Sequence, residues 1–362
     1  MFLNLIAPIN PLGYGVVGFN ILRSLVLEGH KVSYFPVGNP DISSYGAESD
    51  LIEAAMKNSF FYDKDAPCLR IWHQHEMDKF VGSANRIGWP IFELNKFTDR
   101  ELHQLSSLDT IFVCSQWAAD VIKEAKINPP GGTHVIPLGV DLDTFFVDDE
   151  DRKNRPYWTK NSTVFINVGK WELRKGHNEL CEAFSKAFKP EDDVELWMLN
   201  DNPFIGAKGN EDWKRKFISS PMGAKIKILP RQKTQKDLKQ IFNHVDFGVF
   251  PSHAEGWNLE ILELMACGAP CIATGYSGHT EFLTPDSSIL IEPTGMESAQ
   301  DGKWFHGQGE WCSFEVDQLV ECLRHAHDTK QSGKLNPRSE TLRSVVEQFT
   351  WKNSVKKIEA AL

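Results

Sequence analysis

The segment FPSHAEGWNLEILELMACGAPCIAT, Phe250–Thr274, carries two carboxylates, Glu255 and Glu263, eight residues apart. A strand signal ends at Pro251, Asn258 is a good N-cap residue, and Gly268 closes a helix-length run. One glutamate therefore precedes a helix and the other lies in its second turn. At 1.5 Å per residue they are separated along the axis by up to about 12 Å, too far to share a proton but suited to two ends of one elongated ligand. Carboxylates accept hydrogen bonds from sugar hydroxyls. The amides of Trp257, Asn258 and Leu259 at the helix start would point at an anion, aided by the helix dipole. The plainer alternative is a solvated loop glutamate and a helix-face glutamate.

A second segment, VFINVGKWELRKGHNEL (Val164–Leu180), ends a strand in glycine and follows it with Lys170, Arg174 and Lys175. Lysines at the mouth of a cleft neutralise a departing diphosphate; alternatively they form a solvated basic loop. A third, NPLGYGVVGFNIL (Asn10–Leu22), is read as a loop between the first strand and the first helix, with Gly13, Gly15 and Gly18 in G-x-G-x-x-G spacing. No acidic residue follows until Asp41, which argues against a nicotinamide cofactor and for close backbone approach to a phosphate or sugar. His73 and His75 end a strand in IWHQHEMDKF, where they could meet sugar hydroxyls or be structural; no third ligand suggests a metal. His253 and His279 border the glutamate segment and lean toward ligand contact. Trp72 and Trp89 read as core residues, Trp257 as a residue that could stack on sugar.

Strand-like apolar runs alternate with helix-length segments throughout, the pattern of parallel sheets flanked by helices. A first series runs from FLNLIAPI through GFNILRSLVLEGH, KVSYFPV, LRIWHQ, RIGWPI and TIFVCS to HVIPLGV, ending near Val140. The acidic, nonperiodic stretch 141–162 reads as a linker. A second series follows: TVFINVG, HNELCEAFSKAF, VELWML, IKIL, TQKDLKQIFNHV, DFGVFP, LEILELMACG and PCIAT. This predicts two doubly wound, Rossmann-like domains, 1–150 and 151–340, followed by 341–362. Segments 38–62 and 79–86 read as loops.

Composition is that of an ordinary globular protein: 362 residues, 41% hydrophobic, 11% aromatic, 26 Gly and 19 Pro. That excludes disorder and fibrous repeats, and the length favours two domains with chemistry in a cleft between them. A net charge of −10 argues against a protein that grips duplex nucleic acid. Seven scattered cysteines read as reduced core thiols of a cytoplasmic protein. The start, MFLNLIAPINPLGYG, reads as a first strand rather than a signal peptide, and no run approaches the roughly 20 apolar residues of a membrane span. Peripheral contact with the inner membrane face through an amphipathic helix stays open.

These motifs together resemble the retaining GT-B glycosyltransferases of the large Glu-x7-Glu group (glycosyl transferases group 1, family 4 type). EGWNLEILELMACGAPCIAT with YSGHTEFL resembles its glutamate signature, GKWELRKG its phosphate loop, PLGVDLDTF its Pro-x-Gly-Val-Asp-x-x-x-Phe segment, and GYG…GHKV its N-terminal glycine loop. FTWKNSVKKIEAAL resembles the last helix, which in that fold crosses back to the first domain. The resemblance implies a metal-independent hexosyltransferase: a UDP- or GDP-sugar donor held by the second domain, a glycan, lipid-linked or other hydroxyl acceptor held by the first, and no further cofactor. It implies that Glu255 contacts donor-sugar hydroxyls, Glu263 the ribose, and Lys170 with Lys175 the diphosphate. The amides from Gly256 to Leu259 would meet sugar and phosphate, with Gly13 and Gly15 approaching the diphosphate from the other side.

Lys170 stands where the group usually has arginine, and Glu93, in RIGWPIFELNKF, where many members carry a histidine near the donor sugar. MLNDNPF replaces a glycine-rich turn. The competing readings are a nucleotide-sugar epimerase or hydrolase of the same fold, which would turn over without an acceptor, and a noncatalytic sugar-nucleotide-binding module. The acidic balance argues against a hydroxylated DNA base as acceptor without removing it. A Glu255→Ala variant is expected to keep the fold and lose turnover.

Overall fold

A computed structural model describes residues 1–159 and 161–362, with Trp158 described by its backbone alone. The chain divides into two compact units, 1–139 with 349–362, and 140–348. The junction therefore falls at the start of the polar stretch 141–162 rather than inside it.

The first unit contains β1 (Phe2–Ala7), α1 (Gly13–Leu27), β2 (Lys31–Pro36), α2 (Ser49–Asn58), β3 (Cys68–Trp72), β4 (Arg86–Pro90), α3 (Asp99–Ser106), β5 (Thr110–Val113), α4 (Gln116–Glu124) and β6 (Thr133–Val135). Its strands pair in parallel in the order β2-β1-β3-β4-β5-β6. Strands such as β1 and β5 are nearly continuous apolar runs because helices cover both faces of a parallel sheet. Three expectations are corrected. The three glycines of Asn10–Leu22 lie inside α1, not in a loop before it. A Cβ on Gly15 would lie 2.2 Å from the Asn10 carbonyl oxygen, and one on Gly18 2.1 Å from that of Pro8, so these two let the helix press against the end of β1. Segment 38–62 holds α2, whose polar face hid its two buried contacts, Ile52 and Ala55. The strand in HVIPLGV stops at Val135.

The second unit contains α5 (Asp149–Lys153), β7 (Thr163–Gly169), α6 (His177–Ala187), β8 (Val194–Asn200), α7 (Gly206–Ile218), β9 (Ile226–Ile228), α8 (Gln235–Asn243), β10 (Phe247–Phe250), α9 (Leu259–Ala266), β11 (Cys271–Thr274), β12 (Ser288–Ile291), β13 (Gly295–Gln300), β14 (His306–Ser313), α10 (Val316–Gln331) and α11 (Glu340–Gln348). Its parallel sheet has the order β9-β8-β7-β10-β11-β12, and β13 and β14 form a separate antiparallel hairpin. Aromatic rings from Phe165, Phe184, Phe188 and Phe247 fill the space between this sheet and its helices.

The stretch read as a linker is part of this unit. Arg155 grips both carboxylate oxygens of buried Asp246 at 2.8 and 2.9 Å, and Lys239 pairs with Asp148 and, at 2.9 Å, with Asp151. Its charges looked solvated because their partners lie some 90 residues further along the chain. The last helix, α12 (Trp351–Ala361), returns to the first unit: Trp351, Val355 and Ile358 are buried, and Ser354 Oγ donates to the Pro137 carbonyl at 2.6 Å. All seven cysteines are free and buried.

Candidate active site

In the second unit the strand order reverses between β7 and β10, and an open parallel sheet binds ligands at such a switch point, beyond the carboxyl ends of the strands. The two loops leaving these strands, 170–176 and 251–258, carry the basic cluster and Glu255. Their backbones interlock. The His253 amide donates to the Arg174 carbonyl at 2.7 Å. Gly176 has φ +67°, and a Cβ there would fall 1.9 Å from the Pro251 carbonyl oxygen, so only glycine lets the loops touch. A third loop joins them: the Glu255 amide donates to Ser277 Oγ and the Gly278 amide to the Glu255 carbonyl, both at 2.8 Å.

Onto this frame the chain hangs a buried ion cluster. Glu255, 5% exposed, accepts from Lys175 Nζ and Ser252 Oγ on Oε1, both at 2.8 Å, and from Arg174 Nη1 on Oε2 at 2.9 Å. Arg174 reaches Glu172 through Nη2 at 2.8 Å, and half-exposed Lys170 meets Glu172 at 2.7 Å. Lys175 reaches Glu255 by crossing Gly169, where a Cβ would stand 3.3 Å from its Cε. Burial alone would raise the Glu255 pKa, but Arg174 and Lys175 override it and hold the carboxyl far below the usual range. Glu172 is likewise lowered against burial, by Arg174 and then Lys170. Burial works against the Lys175 ammonium, yet Glu255 and Glu260 raise its pKa. Glu255 is thus a permanent anion with little basicity, an orienting group rather than a proton carrier. Three cations, Lys170, Arg174 and Lys175, thus line the switch point on a frame of carboxylates.

Two residues depart from expectation. Asn258 does not cap α9 with its side chain; it adopts φ 77°, ψ 82°, and both its carboxamide atoms are buried without a partner among the described residues. Removing Glu255, expected from the sequence to leave the fold intact, would take from buried Lys175 its carboxylate partner and from Arg174 one of its two. Glu263, 8% exposed, has its pKa raised well above 4.5, first by burial and then by Glu260. Gly256, Trp257 and Leu259 are buried around the helix start, with the Trp257 ring 4.9 Å from that of Phe282.

The bordering histidines are built into the scaffold. His279 Nε2 donates to the Thr274 carbonyl at 2.5 Å, and burial lowers its pKa. His253 Nδ1 lies 2.7 Å from the Cys312 carbonyl oxygen; burial opposes its charge, but Glu179 and that carbonyl raise its pKa. Sequence reasoning missed a second buried network. His177 Nε2 lies 3.0 Å from Asn167 Oδ1, its Nδ1 lies 3.0 Å from the Glu172 carbonyl oxygen and 3.2 Å from the Glu172 amide nitrogen, and Asn200 donates to Asn167 at 2.7 Å. Burial pushes the His177 pKa down to about 3, so a neutral imidazole pins the basic loop to β7. Asn200 belongs to this pin.

In the first unit the order reverses between β1 and β3, and the corresponding residues gather there. Tyr14 Oη lies 3.0 Å from His73 Nδ1 and donates to the Ile91 carbonyl, and the rings of His73 and His75 stack 5.1 Å apart. Glu93 is half-buried beyond β4, and a Cβ on Gly13 would meet open space. Trp89 is a core residue, as read from the sequence.

Two parallel, doubly wound sheets with switch-point loops of this kind define an α/β protein of GT-B fold. Sucrose-phosphate synthase from Thermosynechococcus elongatus superposes with a TM-score of 0.71 at 14% identity, covering 99% of this chain and 98% of that one. Anabaena HepE, solved in complex with UDP, superposes at 0.72 and 14% identity over all of both chains. Residues 148–302 match the family described as Glycosyl transferases group 1. A GDP-mannose-dependent phosphatidylinositol dimannoside mannosyltransferase of Mycobacterium tuberculosis is 23% identical over 80% of this chain and 66% of its own length. A monoacylated phosphatidylinositol monomannoside mannosyltransferase of Corynebacterium glutamicum is 22% identical over 60% and 57%. The chain thus spans between half and two thirds of these two relatives' lengths. No helix of the described residues is long and apolar enough to cross a membrane.

Proposed function

We propose that the protein is a retaining glycosyltransferase that moves a hexose from a nucleoside-diphosphate sugar to a hydroxyl acceptor. The observation that carries this reading is Glu255, a buried anion locked between Arg174 and Lys175 at the switch point, ahead of a helix whose first amides have no partner further back along the helix. The donor's diphosphate would lie between Lys170, Lys175 and those amides, with its sugar hydroxyls on Glu255 and its ribose on Glu263. The relatives named above use GDP-mannose, and HepE is solved with UDP and with UDP-glucose, which supports a UDP- or GDP-sugar.

As the bond between the anomeric carbon and the diphosphate breaks, its electron pair passes to the phosphate oxygen. Lys170, Lys175 and the helix amides balance the charge that grows there. The acceptor oxygen bonds to the same face of the oxocarbenium-like carbon, and its proton passes to the leaving oxygen. Glu255 is too weakly basic to take that proton and is already engaged on both oxygens, so front-face attack is favoured over a covalent intermediate on it. Since lysines and amides supply the positive charge, the reaction is metal-independent. The acceptor, a glycan or lipid-linked hydroxyl, would use His73, His75 and Glu93 of the first unit.

The test incubates the full chain with UDP-, GDP- and ADP-sugars and follows thermal stability, nucleotide release and the anomeric configuration of the product. One nucleoside diphosphate should raise Tm by mass action, and the product should keep the donor's configuration in the presence of EDTA. Binding of none of these nucleotides overturns the reading; inversion overturns the mechanism alone.

A further inference from the structure

The hairpin of β13 and β14 is not needed to complete the parallel sheet, yet its tip is built with care. Asp301 Oδ1 accepts from the amides of Lys303, Trp304 and Phe305 at 2.8, 2.7 and 2.9 Å, which fixes a tight turn. That turn leaves Trp304 46% exposed and carries Lys303 to the loop after β8, where its ammonium donates to the Phe204 carbonyl. Phe204 is 52% exposed. The two rings stand 5.8 Å apart at 83°, forming an open right-angled corner. Lys303 Nζ is 5.2 Å from the centre of the Trp304 ring, and Lys170 Nζ is 5.8 Å from that of Phe204. Lys303 has no carboxylate partner among the described residues, so its charge is uncompensated.

We propose that Phe204, Trp304 and Lys303 form a subsite for a pyranose ring bearing an anionic group, the acceptor side of the transfer. A sugar ring is thick and carries C–H groups on its face and its rim, and their positive ends favour the negative faces of aromatic rings. A corner of two perpendicular rings matches that shape, whereas a planar base would use only one wall. Lys303 takes the anionic substituent, a carboxylate or a phosphate. Lys170 on the far side of Phe204 ties the corner to the diphosphate site, so the naming of this sugar as acceptor rests on the transferase reading; the binding itself does not.

The experiment labels the full chain with 5-fluorotryptophan and identifies the Trp304 resonance as the one missing from W304F. Methyl glucuronide, glucose 6-phosphate, methyl glucoside, inorganic phosphate, UDP and GDP are then titrated in turn. The expected result is a saturable shift of the Trp304 resonance with the two anionic sugars, at least tenfold weaker with methyl glucoside. K303Q should abolish that preference, and F204A should weaken both anionic sugars. Of those two sugars, the tighter one identifies a carboxylate or a phosphate as the charge recognised. Calorimetric titration of wild type and W304A with UDP and GDP reports separately on the donor site, and the nucleotide that binds should bind both equally. A Trp304 shift with UDP or GDP alone would make the corner a base platform, and no shift with any probe would make it ordinary surface; either overturns the proposal.

Discussion

At the residue scale, the site depends on two glutamates whose environments drive them in opposite directions. Glu255 is kept ionised by Arg174 and Lys175, and Glu263 is pushed toward its neutral form by burial. Glu255→Gln leaves one charge of the cluster unbalanced, and breaking a buried pair costs about 3 kcal/mol or more. At roughly 2–4 °C per kcal/mol for a unit of this size, Tm should fall by about 6–12 °C alongside the loss of turnover, measurable by calorimetry. Glu263 has the opposite sign. Its folded pKa lies above the unfolded one, so its contribution to stability is full below the unfolded value and is lost as pH rises toward the folded value. Glu263→Gln should therefore be more stable than wild type at pH 7–8, with a flatter Tm profile from about pH 4.5 upward, while nucleotide affinity drops. The sequence placed both residues at a helix start, because that signal is local. It could not reveal their ion pairs, because Arg174 meets Glu255 only through two loops 81 residues apart that share a switch point.

At the element scale, α9 begins with a residue in an uncommon conformation. Asn258 holds φ 77° while its carboxamide finds no partner among the described residues, so no hydrogen bond there rewards asparagine over glycine. Asn258→Gly is expected to keep or raise Tm; if the carboxamide meets donor hydroxyls, affinity for the sugar nucleotide should fall about tenfold and affinity for the free nucleoside diphosphate much less, both by calorimetric titration. The elements legible in the sequence were those with concentrated apolar runs, such as β10 and α9. Those that escaped expose most of their length. The helix α7, GAKGNEDWKRKFI, buries only Asn210 and Phe217, and β13, GMESAQ, only Ala299. Their positions are set by tertiary contacts that no local pattern encodes.

At the scale of the whole molecule, the chain enters the first unit, leaves it after Gly139 and returns at Phe349. The returning helix buries Trp351, Val355 and Ile358 and reaches the body through a hydrogen bond between His30 Nε2 and Glu359 at 2.7 Å and an ion pair from Lys352 to Glu28 at 3.2 Å. At about 1.5–3 kcal/mol per buried side chain, removing residues 349–362 costs roughly 5–9 kcal/mol, comparable with the stability of a whole domain. Hydrogen exchange should then show the first unit largely unprotected and the second still protected. That two-way crossing also sets an order of assembly. During synthesis, residues 140–348 emerge before residues 349–362, so the first unit, begun earlier, is completed only once α12 has been made. Of the two units, the one begun first is thus finished second, and a chaperone that binds exposed apolar surface would find its substrate at the face that Trp351, Val355 and Ile358 cover.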